Sequence, residues 1–397
     1  MTKISVIGPT HPFKGGISHY TSLLVRTLRR HSSVQFLSYS RQYHDWLYPG
    51  KTDRDPSRTF FVEERPDERF DALNPWNWYR AADRVFAHRP DLVILPWSVF
   101  YWAPFHWCFL KRLRTVSRIP VLFLCHNVLE HEASRLKSSL SKRVLRMGDY
   151  FITHSEWDHR NLTQWLGSGR EERVLTTCHP IYEHLTRRQL DKRAARQRLG
   201  LESEHVILFF GFIREYKGLR YLMEGLRLVR ETCPVHLVVA GEPWGDDTVY
   251  RELITRLGLD DAVTLVSRYI PNEEVEVYFA AADLVTVPYV SATQSGIVQL
   301  AYGFGKPVLV GRVGGLPEVV DDGKTGYMVT PRDPQAIAKA ILDFYTAGRQ
   351  AEFGSNVERV RSRFSWDELG RTILRLAERA TSASHPDETH AAPLAQR

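Results

Sequence analysis

The fold is decided by the stretch from Thr286 to Pro331, which reads TVPYVSATQSGIVQLAYGFGKPVLVGRVGGLPEVVDDGKTGYMVTP. It begins inside an apolar run, Leu284 to Val287, that predicts a buried strand. A loop of small polar residues, 291–296, leads into residues with helical periodicity. The apolar run 307–310 then predicts the next strand. The order strand, loop, helix, strand is typical of a parallel sheet with crossover helices.

Two loops in this stretch lie between the carboxyl end of a strand and a following helix. The first is 291–296, and the second contains Gly314 and Gly315, with Pro317 where a first helical position is expected. Free backbone N–H groups and the positive end of a helix dipole favour phosphate at such places. Ordinary turns of an α/β domain remain the alternative at this point.

Outward from this stretch the same alternation recurs along the chain. Strands are predicted from Ile4 and from His205, each followed by a glycine-containing loop and an amphipathic helix. A length of 397 residues exceeds one typical core. The sequence therefore predicts an α/β protein of two Rossmann-like domains.

The composition limits the kinds of binding partner and the compartment that the protein can be expected to have. The net charge of +7 favours anionic partners, but no zinc-finger spacing or RNP-like strand indicates nucleic acid. The four cysteines form no CxxC pair, which fits a reducing cytosol. The first residues, MTKISVIGP, lack the long apolar core of a signal peptide.

The most apolar stretch, Val93 to Leu110, contains two prolines and a histidine, which argues against a spanning helix. Its aromatic run from Trp97 to Trp107 is predicted to pack in a core or to contact a membrane or lipid acceptor together with the basic residues 111–114. The Asp53-Arg54-Asp55 triplet has no strand before it, and we interpret it as a solvated turn rather than a metal-binding DxD.

Several loops at strand ends carry candidate site residues. Gly15 and Gly16 lie between a strand and a helix without the GxGxxG dinucleotide pattern. His126 directly follows a strand, and Arg214 and Lys217 lie in a strand-to-helix loop, where cations neutralise phosphate. Each has a structural alternative. The two glycines could form only a helix-entry turn, the histidine could be bonded to backbone, and the two cations could form surface salt bridges.

The wording GKPVLVGRVGGLPEVVDDGKTGYMV resembles the nucleotide-sugar site of GT-B glycosyltransferases of the family-4 type. The resemblance runs from about residue 3 to residue 380. It implies two Rossmann-like domains facing across a cleft: an acceptor-side domain, 1–185, and a nucleotide-sugar-binding domain, 186–365. It also implies that a helix, 366–380, packs back toward the first domain, and we expect 381–397 to be disordered.

The resemblance also implies roles for individual residues. Gly15 and Gly16 would approach the donor diphosphate, and Arg214 and Lys217 would contact its phosphates. His126 would lie near the sugar hydroxyls. The remaining donor-binding residues would be those of the first loop, Thr293, Gln294, Ser295, Gly296 and Ile297. The nucleotide sugar is a substrate, and neither a metal nor another cofactor is expected.

One departure concerns the two glutamates that this family spaces E-x7-E. The expected positions hold Ala292 and Leu300, and no Glu lies between Thr286 and Leu316. Gln294 or Thr293 is expected to replace part of the first glutamate's role. Leu300 cannot hydrogen-bond a ribose through its side chain, so the donor and the activity itself are open.

The expected function is retaining transfer of a sugar from a nucleotide-sugar donor to a glycan or polyprenyl-linked acceptor, in polysaccharide or glycolipid biosynthesis. The expected location is the cytoplasm, including peripheral contact with an anionic membrane at its inner face. The alternatives are a non-catalytic sugar-nucleotide-binding relative and an NAD-type oxidoreductase, against which the missing GxGxxG argues.

Overall fold

The structure is a computed structural model that describes residues 1–44, 50, 52–59, 64–128, 135–186 and 190–384. It contains two parallel sheets with helices between successive strands, which confirms the predicted fold class. Within these residues, no helix combines the length and the apolar content needed to cross a bilayer.

The first sheet has seven strands in the order β3-β2-β1-β4-β5-β6-β7, all parallel. Its strands are β1 Lys3–Ile7, β2 Ser33–Arg41, β3 Glu68–Asp71, β4 Leu92–Trp97, β5 Val121–Cys125, β6 Tyr150–Thr153 and β7 Val174–Thr176. Its helices are α1 Gly16–Arg29, α2 Pro75–His88, α3 Ala103–Val116, α4 Arg135–Leu145 and α5 Glu156–Leu166.

The second sheet has six parallel strands in the order β10-β9-β8-β11-β12-β13. Its strands are β8 His205–Phe210, β9 Val235–Ala240, β10 Val263–Val266, β11 Leu284–Val287, β12 Val308–Gly311 and β13 Gly326–Val329. The helices from α6 onward are α6 Lys192–Arg198, α7 Leu219–Arg230, α8 Thr248–Arg256, α9 Asn272–Ala281, α10 Gly296–Gly303, α11 Pro334–Thr346, α12 Gln350–Val360 and α13 Trp366–Ser384.

The strand order places a switch point in each sheet. Successive strands are added toward one edge of the sheet up to the β1–β4 boundary in the first sheet and the β8–β11 boundary in the second, and toward the opposite edge beyond it. Ligands of open α/β sheets bind outside the carboxyl ends of strands at such points. The loops after β1, β8 and β11 contain the predicted donor-site residues, whereas the predicted site residue His126 follows β5.

The helix α13 crosses back to the first sheet. Its residues Leu369, Ile373 and Leu376 are buried in one cluster with Tyr20 and Leu24 of α1. Gly370 fits close to Thr27, where an added Cβ would lie 2.8 Å from a methyl carbon. The helix continues to Ser384, beyond the predicted end at 380, and the remainder of the predicted disordered tail lies outside the described residues.

The aromatic run from Trp97 to Trp107 belongs largely to the core of the first domain. Trp97, Trp102 and Phe105 are buried beneath α2 and α3 in one hydrophobic cluster. Trp102 also stacks on Tyr39 with ring centroids 4.9 Å apart. Core packing is therefore confirmed for Trp97, Trp102 and Phe105, and membrane contact stays a prediction for the half-buried residues of the run, such as Phe100, Tyr101 and Trp107.

Candidate functional site

A cavity of about 320 Å³ lies between the two sheets at their switch points. Residues of both domains line it, from the loop after β1 and from the loops after β8, β9, β10 and β11. They are Gly15, Gly16, His19, Tyr182, Leu185, Phe210, Gly211, Phe212, Tyr216, Lys217, Gly241, Glu242, Tyr269, Ile270, Asn272, Val275, Tyr289, Gln294, Ser295, Gly296, Ile297 and Leu300.

The amino terminus of α1 forms one wall. Gly15 has φ 101°, a left-handed conformation that favours glycine, and an added Cβ would meet nothing within 4 Å. Glycine is therefore required by conformation, not by space. No side chain caps this helix, and the Ser18 N–H donates to the Gly15 carbonyl at 3.1 Å. The earlier N–H groups of the first turn point toward the place where an anion would bind.

The amino terminus of α10 faces it from the other domain. The Ser295 hydroxyl accepts from the Ile297 N–H at 3.3 Å and caps the helix. An added Cβ at Gly296 would lie 3.9 Å from the Tyr182 hydroxyl oxygen, and one at Gly16 would lie 3.7 Å from the same atom. The two helix amino termini therefore approach each other around Tyr182.

The loop before α10 also holds the domains together. The Gln294 side-chain amide donates to the backbone carbonyl of His154 in the first domain. Thr293 is buried behind the cavity wall, where its carbonyl accepts from the Gly315 N–H at 2.9 Å. Of the five predicted loop residues, four line the cavity and Thr293 does not.

The second glycine turn packs closely against the loop before α10. An added Cβ at Gly314 would lie 1.8 Å from the Ala292 carbonyl oxygen, so protein backbone fills the space. Pro317 lies in a three-residue 3-10 helix, Leu316–Glu318, rather than at the start of an α-helix. The prediction of an α-helix after this turn is therefore wrong, and phosphate binding at the turn stays a prediction.

The Glu318 carboxylate instead binds the amino terminus of α5 in the other domain. It accepts from the Glu156 N–H at 2.6 Å and from the Trp157 N–H at 3.0 Å. A carboxylate there interacts favourably with the dipole of the helix.

Lys217 supplies a buried cation to the cavity. Its side chain is 8% exposed, and an added Cβ at Gly211 would lie 3.5 Å from its Nζ. Burial, followed by the nearby Arg214 charge, lowers the pKa of Lys217 to about 7. Among the described residues no carboxylate pairs with Lys217. An anionic ligand would supply the missing counter-charge.

Arg214 lies beside Lys217 but outside the cavity lining. Its guanidinium carbon is 3.7 Å from the centroid of the Trp244 ring and 4.8 Å from that of Tyr216. These two aromatic faces hold the cation in place. The structure thus brings Arg214 and Lys217 together at one end of the cavity.

A third cation, Lys14, is not among the residues predicted from the sequence. Its Nζ lies 2.8 Å from Glu242 across the domain boundary, with side-chain exposures of 4% and 8%. It also lies 4.7 Å from the Tyr269 ring centroid. Two sequence features could have identified this pair: Lys14 lies in the glycine-rich loop before Gly15, and Glu242 follows the end of a strand.

The Asp53-Arg54-Asp55 triplet is not a solvated turn. Asp55 is 7% exposed and accepts from the Tyr269 hydroxyl at 3.0 Å. Arg54 pairs with Phe13 in an antiparallel bridge and lies over its ring. The interpretation was wrong because the contact partner Tyr269 belongs to the other domain.

His126 does not line the cavity. Its ring packs edge-on against Tyr20, 4.4 Å between centroids, and the Tyr20 hydroxyl bonds His154 Nε2 at 2.8 Å. Burial, with a smaller effect of His179, lowers the pKa of His126 to about 3, so the ring is neutral. Among the described residues its buried Nε2 has no hydrogen-bond partner.

The two positions of the missing glutamates are apolar and buried. Leu300 lines the cavity, and Ala292 lies beside Gly314. The polar groups that do line the cavity include Asn272, whose Nδ2 has no partner among the described residues. No sequence signal marked Asn272 or Tyr182, because each reaches the cavity through long-range packing.

The chain matches two protein-family models. The model described as Glycosyltransferase Family 4 covers residues 14–181, and the model described as Glycosyl transferases group 1 covers residues 204–347. The two matches correspond to the two sheets.

Two similar relatives are named D-inositol 3-phosphate glycosyltransferase. The relative from Acidothermus cellulolyticus is 32% identical over 61% of this chain and 56% of its own length. The relative from Streptomyces scabiei is 28% identical over 75% of this chain and 70% of its own. The match thus spans little more than half of the first of these relatives.

Solved structures show the same fold. HepE from Anabaena in complex with UDP has a TM-score of 0.73 at 20% identity, covering 96% of this chain and 100% of that chain. Sucrose-phosphate synthase from Thermosynechococcus elongatus has a TM-score of 0.71 at 20% identity, with the same coverage. With both domains matched, the chain belongs to the GT-B glycosyltransferases of the family-4, group 1 type.

Proposed function

We propose that this protein is a retaining glycosyltransferase that moves a sugar from a nucleotide-sugar donor to a glycan or lipid-linked acceptor, in polysaccharide or glycolipid biosynthesis. One observation carries the proposal: the amino termini of α1 and α10 and the buried Lys217 converge on one cavity between the domains. All three favour a diphosphate.

A nucleotide with a uracil base is the first donor to test. The similar structures include HepE with UDP and with UDP-glucose, and a Neisseria meningitidis UDP-GlcNAc 2-epimerase bound to UDP-GlcNAc. In this chain the cavity continues from Lys217 to Tyr269 and Ile270, where aromatic and apolar side chains suit a base.

Transfer requires stabilisation of the leaving diphosphate as the bond from the sugar to phosphate breaks. Lys217, Arg214 and the N–H groups of α1 and α10 are fixed before reaction, so they stabilise developing charge without reorganisation. For retention, a leaving phosphate oxygen takes the proton of the acceptor hydroxyl, which attacks the same face of the sugar. His126 would position the sugar or the acceptor.

A thermal-shift panel with UDP, GDP, ADP and dTDP sugars tests the donor, because a ligand of the native state raises the melting temperature. The donor that shifts the protein is then supplied with candidate acceptors, including phosphorylated cyclitols and polyprenyl-linked sugars. The anomeric configuration of the product by NMR decides retention. An inverted product would contradict the retaining mechanism.

A second candidate is a sugar-nucleotide-binding protein without transferase activity. The apolar residues Ala292 and Leu300 at the two glutamate positions favour it. It predicts donor binding in the thermal-shift panel with neither transfer nor donor hydrolysis. Slow donor hydrolysis in the absence of acceptor would contradict it.

The cytoplasmic location and the contact with a membrane are also part of the proposal. Cell fractionation of the tagged protein, with and without a high-salt wash, tests both.

A further inference from the structure

The helices of the first domain are divided between the two faces of its sheet. Buried residues of α2 and α3, including Ala82, Val85 and Phe109, share one cluster on one face. The other face is covered by α1 and α13. The first face therefore has no further layer of the chain packed on α2 and α3 among the described residues.

The helices α2, α3 and α4 concentrate the positive charge of the chain. Their sequences contain one acidic residue, Asp83, and nine basic residues. The basic residues are Arg80, Arg84, Lys111, Arg112, Arg114, Arg135, Lys137, Lys142 and Arg143. These helices thus carry a net charge of +8, against +7 for the whole chain, so the rest of the chain is close to neutral.

Part of this charge is unpaired. Arg112 pairs with Asp83 at 2.7 Å, and Arg84 pairs with Glu68. Among the described residues, Arg80 and Lys111 have no ion-pair partner, and both are exposed.

The same surface presents large apolar side chains to solvent. Trp76, Tyr79 and Phe86 of α2 are 77%, 42% and 41% exposed. They lie on the outward side of α2 with Arg80, whereas Ala81, Ala82 and Val85 face the core. On α3, the Lys111 Nζ lies 4.7 Å from the Trp107 ring centroid.

Exposed tryptophan and tyrosine among unpaired cations fit the boundary between lipid headgroups and acyl chains. We propose that this surface, the outward sides of α2, α3 and α4, docks on an anionic lipid bilayer. The buried rings of Trp97, Trp102 and Phe105 form the rigid support beneath it.

The position of the surface suits an acceptor held in the bilayer. α2 begins four residues after β3 ends, so Trp76 lies at the carboxyl edge of the sheet, which is also the edge of Gly15, Gly16 and His126. Docking there would bring the cleft near the headgroup layer. The approach of the cleft to the headgroups rests on the proposed function, which includes membrane contact; the assignment of that contact to this surface rests on its exposed rings and cations.

Flotation with vesicles tests the docking. The full chain should float with phosphatidylcholine vesicles containing 30% phosphatidylglycerol (about one anionic lipid in three), not with phosphatidylcholine alone, and salt should weaken the association. Arg80→Gln should reduce partitioning about fivefold, as expected for one basic residue near the surface. Trp76→Ser should reduce it about tenfold if roughly 60 Å² of the indole surface enters the bilayer.

Matched controls are Arg227→Gln and Leu228→Ser on α7 of the second domain, where both residues are exposed. Arg227→Gln removes the same charge as Arg80→Gln, and Leu228→Ser removes an apolar side chain that is 38% exposed. Both should leave flotation unchanged. The thermal shift with nucleotide sugar should be the same in all four variants. A missing shift with normal flotation would refute the proposed function but leave the docking standing.

Three results would overturn the docking. The first is a wild-type protein that stays unbound with anionic vesicles at low salt. The second is α2 variants that partition like the α7 controls. The third is equal binding to neutral vesicles, or retention on RNA without any binding to vesicles.

Discussion

The structure predicts that Lys217 takes up a proton when the nucleotide-sugar donor binds. In the protein without ligand, Lys217 is buried and has a pKa of about 7. At pH 8 its amino group is therefore protonated in about a tenth of the molecules. A diphosphate beside it favours the charged form. Binding of a nucleotide sugar at pH 8 should therefore take up about 0.9 proton, and binding at pH 6 about 0.1. Affinity should be about tenfold weaker at pH 8 than at pH 6.

Titration calorimetry in buffers with different ionisation enthalpies measures this uptake directly. UDP-glucose is preferred to UDP, because a terminal phosphate titrates near pH 6 and would add its own proton exchange. Lys217→Met should abolish the uptake at pH 8 and flatten the pH dependence, with much weaker binding. Lys324→Met, which removes an exposed lysine, should behave as wild type. Uptake below about 0.2 proton at pH 8 would refute the reasoning.

Lys217→Met should weaken donor binding but stabilise the protein that has no ligand bound. The pKa of Lys217 falls from 10.5 to about 7 on folding, which disfavours the charged form by roughly 4–5 kcal/mol as an upper bound. Because the folded pKa lies below the unfolded one, this destabilisation is complete below pH 7 and fades as the pH rises toward 10.5. Lys217→Met should be more stable than wild type at pH 6 in urea, with the difference closing by pH 10. A less stable variant at pH 6 would contradict the burial of an unpaired cation.

Three further predictions concern the residues around the cavity. Arg214→Ala should lower kcat/KM roughly 30- to 1000-fold with the fold retained, as for loss of about 2–4 kcal/mol of transition-state stabilisation; a change below about threefold would exclude its proposed role. Glu242→Gln leaves the Lys14 cation buried without its carboxylate partner, which costs about 3 kcal/mol and should lower the melting temperature by roughly 6 °C or more. The double variant Lys14→Met/Glu242→Leu removes both charges and should recover most of this loss. A double variant as unstable as the single one would argue against charge burial. Gly218→Ala should cost well over 2 kcal/mol in urea unfolding and weaken donor binding, because its φ is 73° and its Cβ would lie 2.0 Å from the Pro288 carbonyl oxygen. The control Gly258→Ala has a similar φ of 64° with open space around it and should cost only about 1–2 kcal/mol; equal costs would mean that backbone conformation alone decides.

Strands and strand-end loops were predictable because their signals are local. A parallel strand buried on both faces is an apolar run, such as 121–125, and the loop after it must turn within a few residues. Glycine, serine and charged residues in those loops can therefore be identified from the sequence alone. This accounts for Gly15, Gly16, Lys217 and residues 294–297 being named in advance as neighbours of one cavity.

Contacts between distant segments left no such signal. Asp55 bonds Tyr269, which is 214 positions away, so its burial could not be inferred from its polar surroundings in sequence. The run around Trp102 left both a core and a bilayer contact open, because apolar character alone does not show which of the two covers it. In contrast, Trp76 belonged to an ordinary amphipathic pattern, and only the packed structure shows its indole exposed.

The return of α13 to the first domain has a consequence for the order in which the protein matures. α1 ends at Arg29, whereas the helix that covers it begins at Trp366, 337 positions later. At 5–20 residues per second, ribosomes make that length in roughly 20–70 s. For that interval the apolar side of α1, with Leu24 and Leu28, has no partner from α13. The second domain is contiguous along the chain and does not wait in this way. The half of the protein that is synthesised first is therefore the half that is completed last.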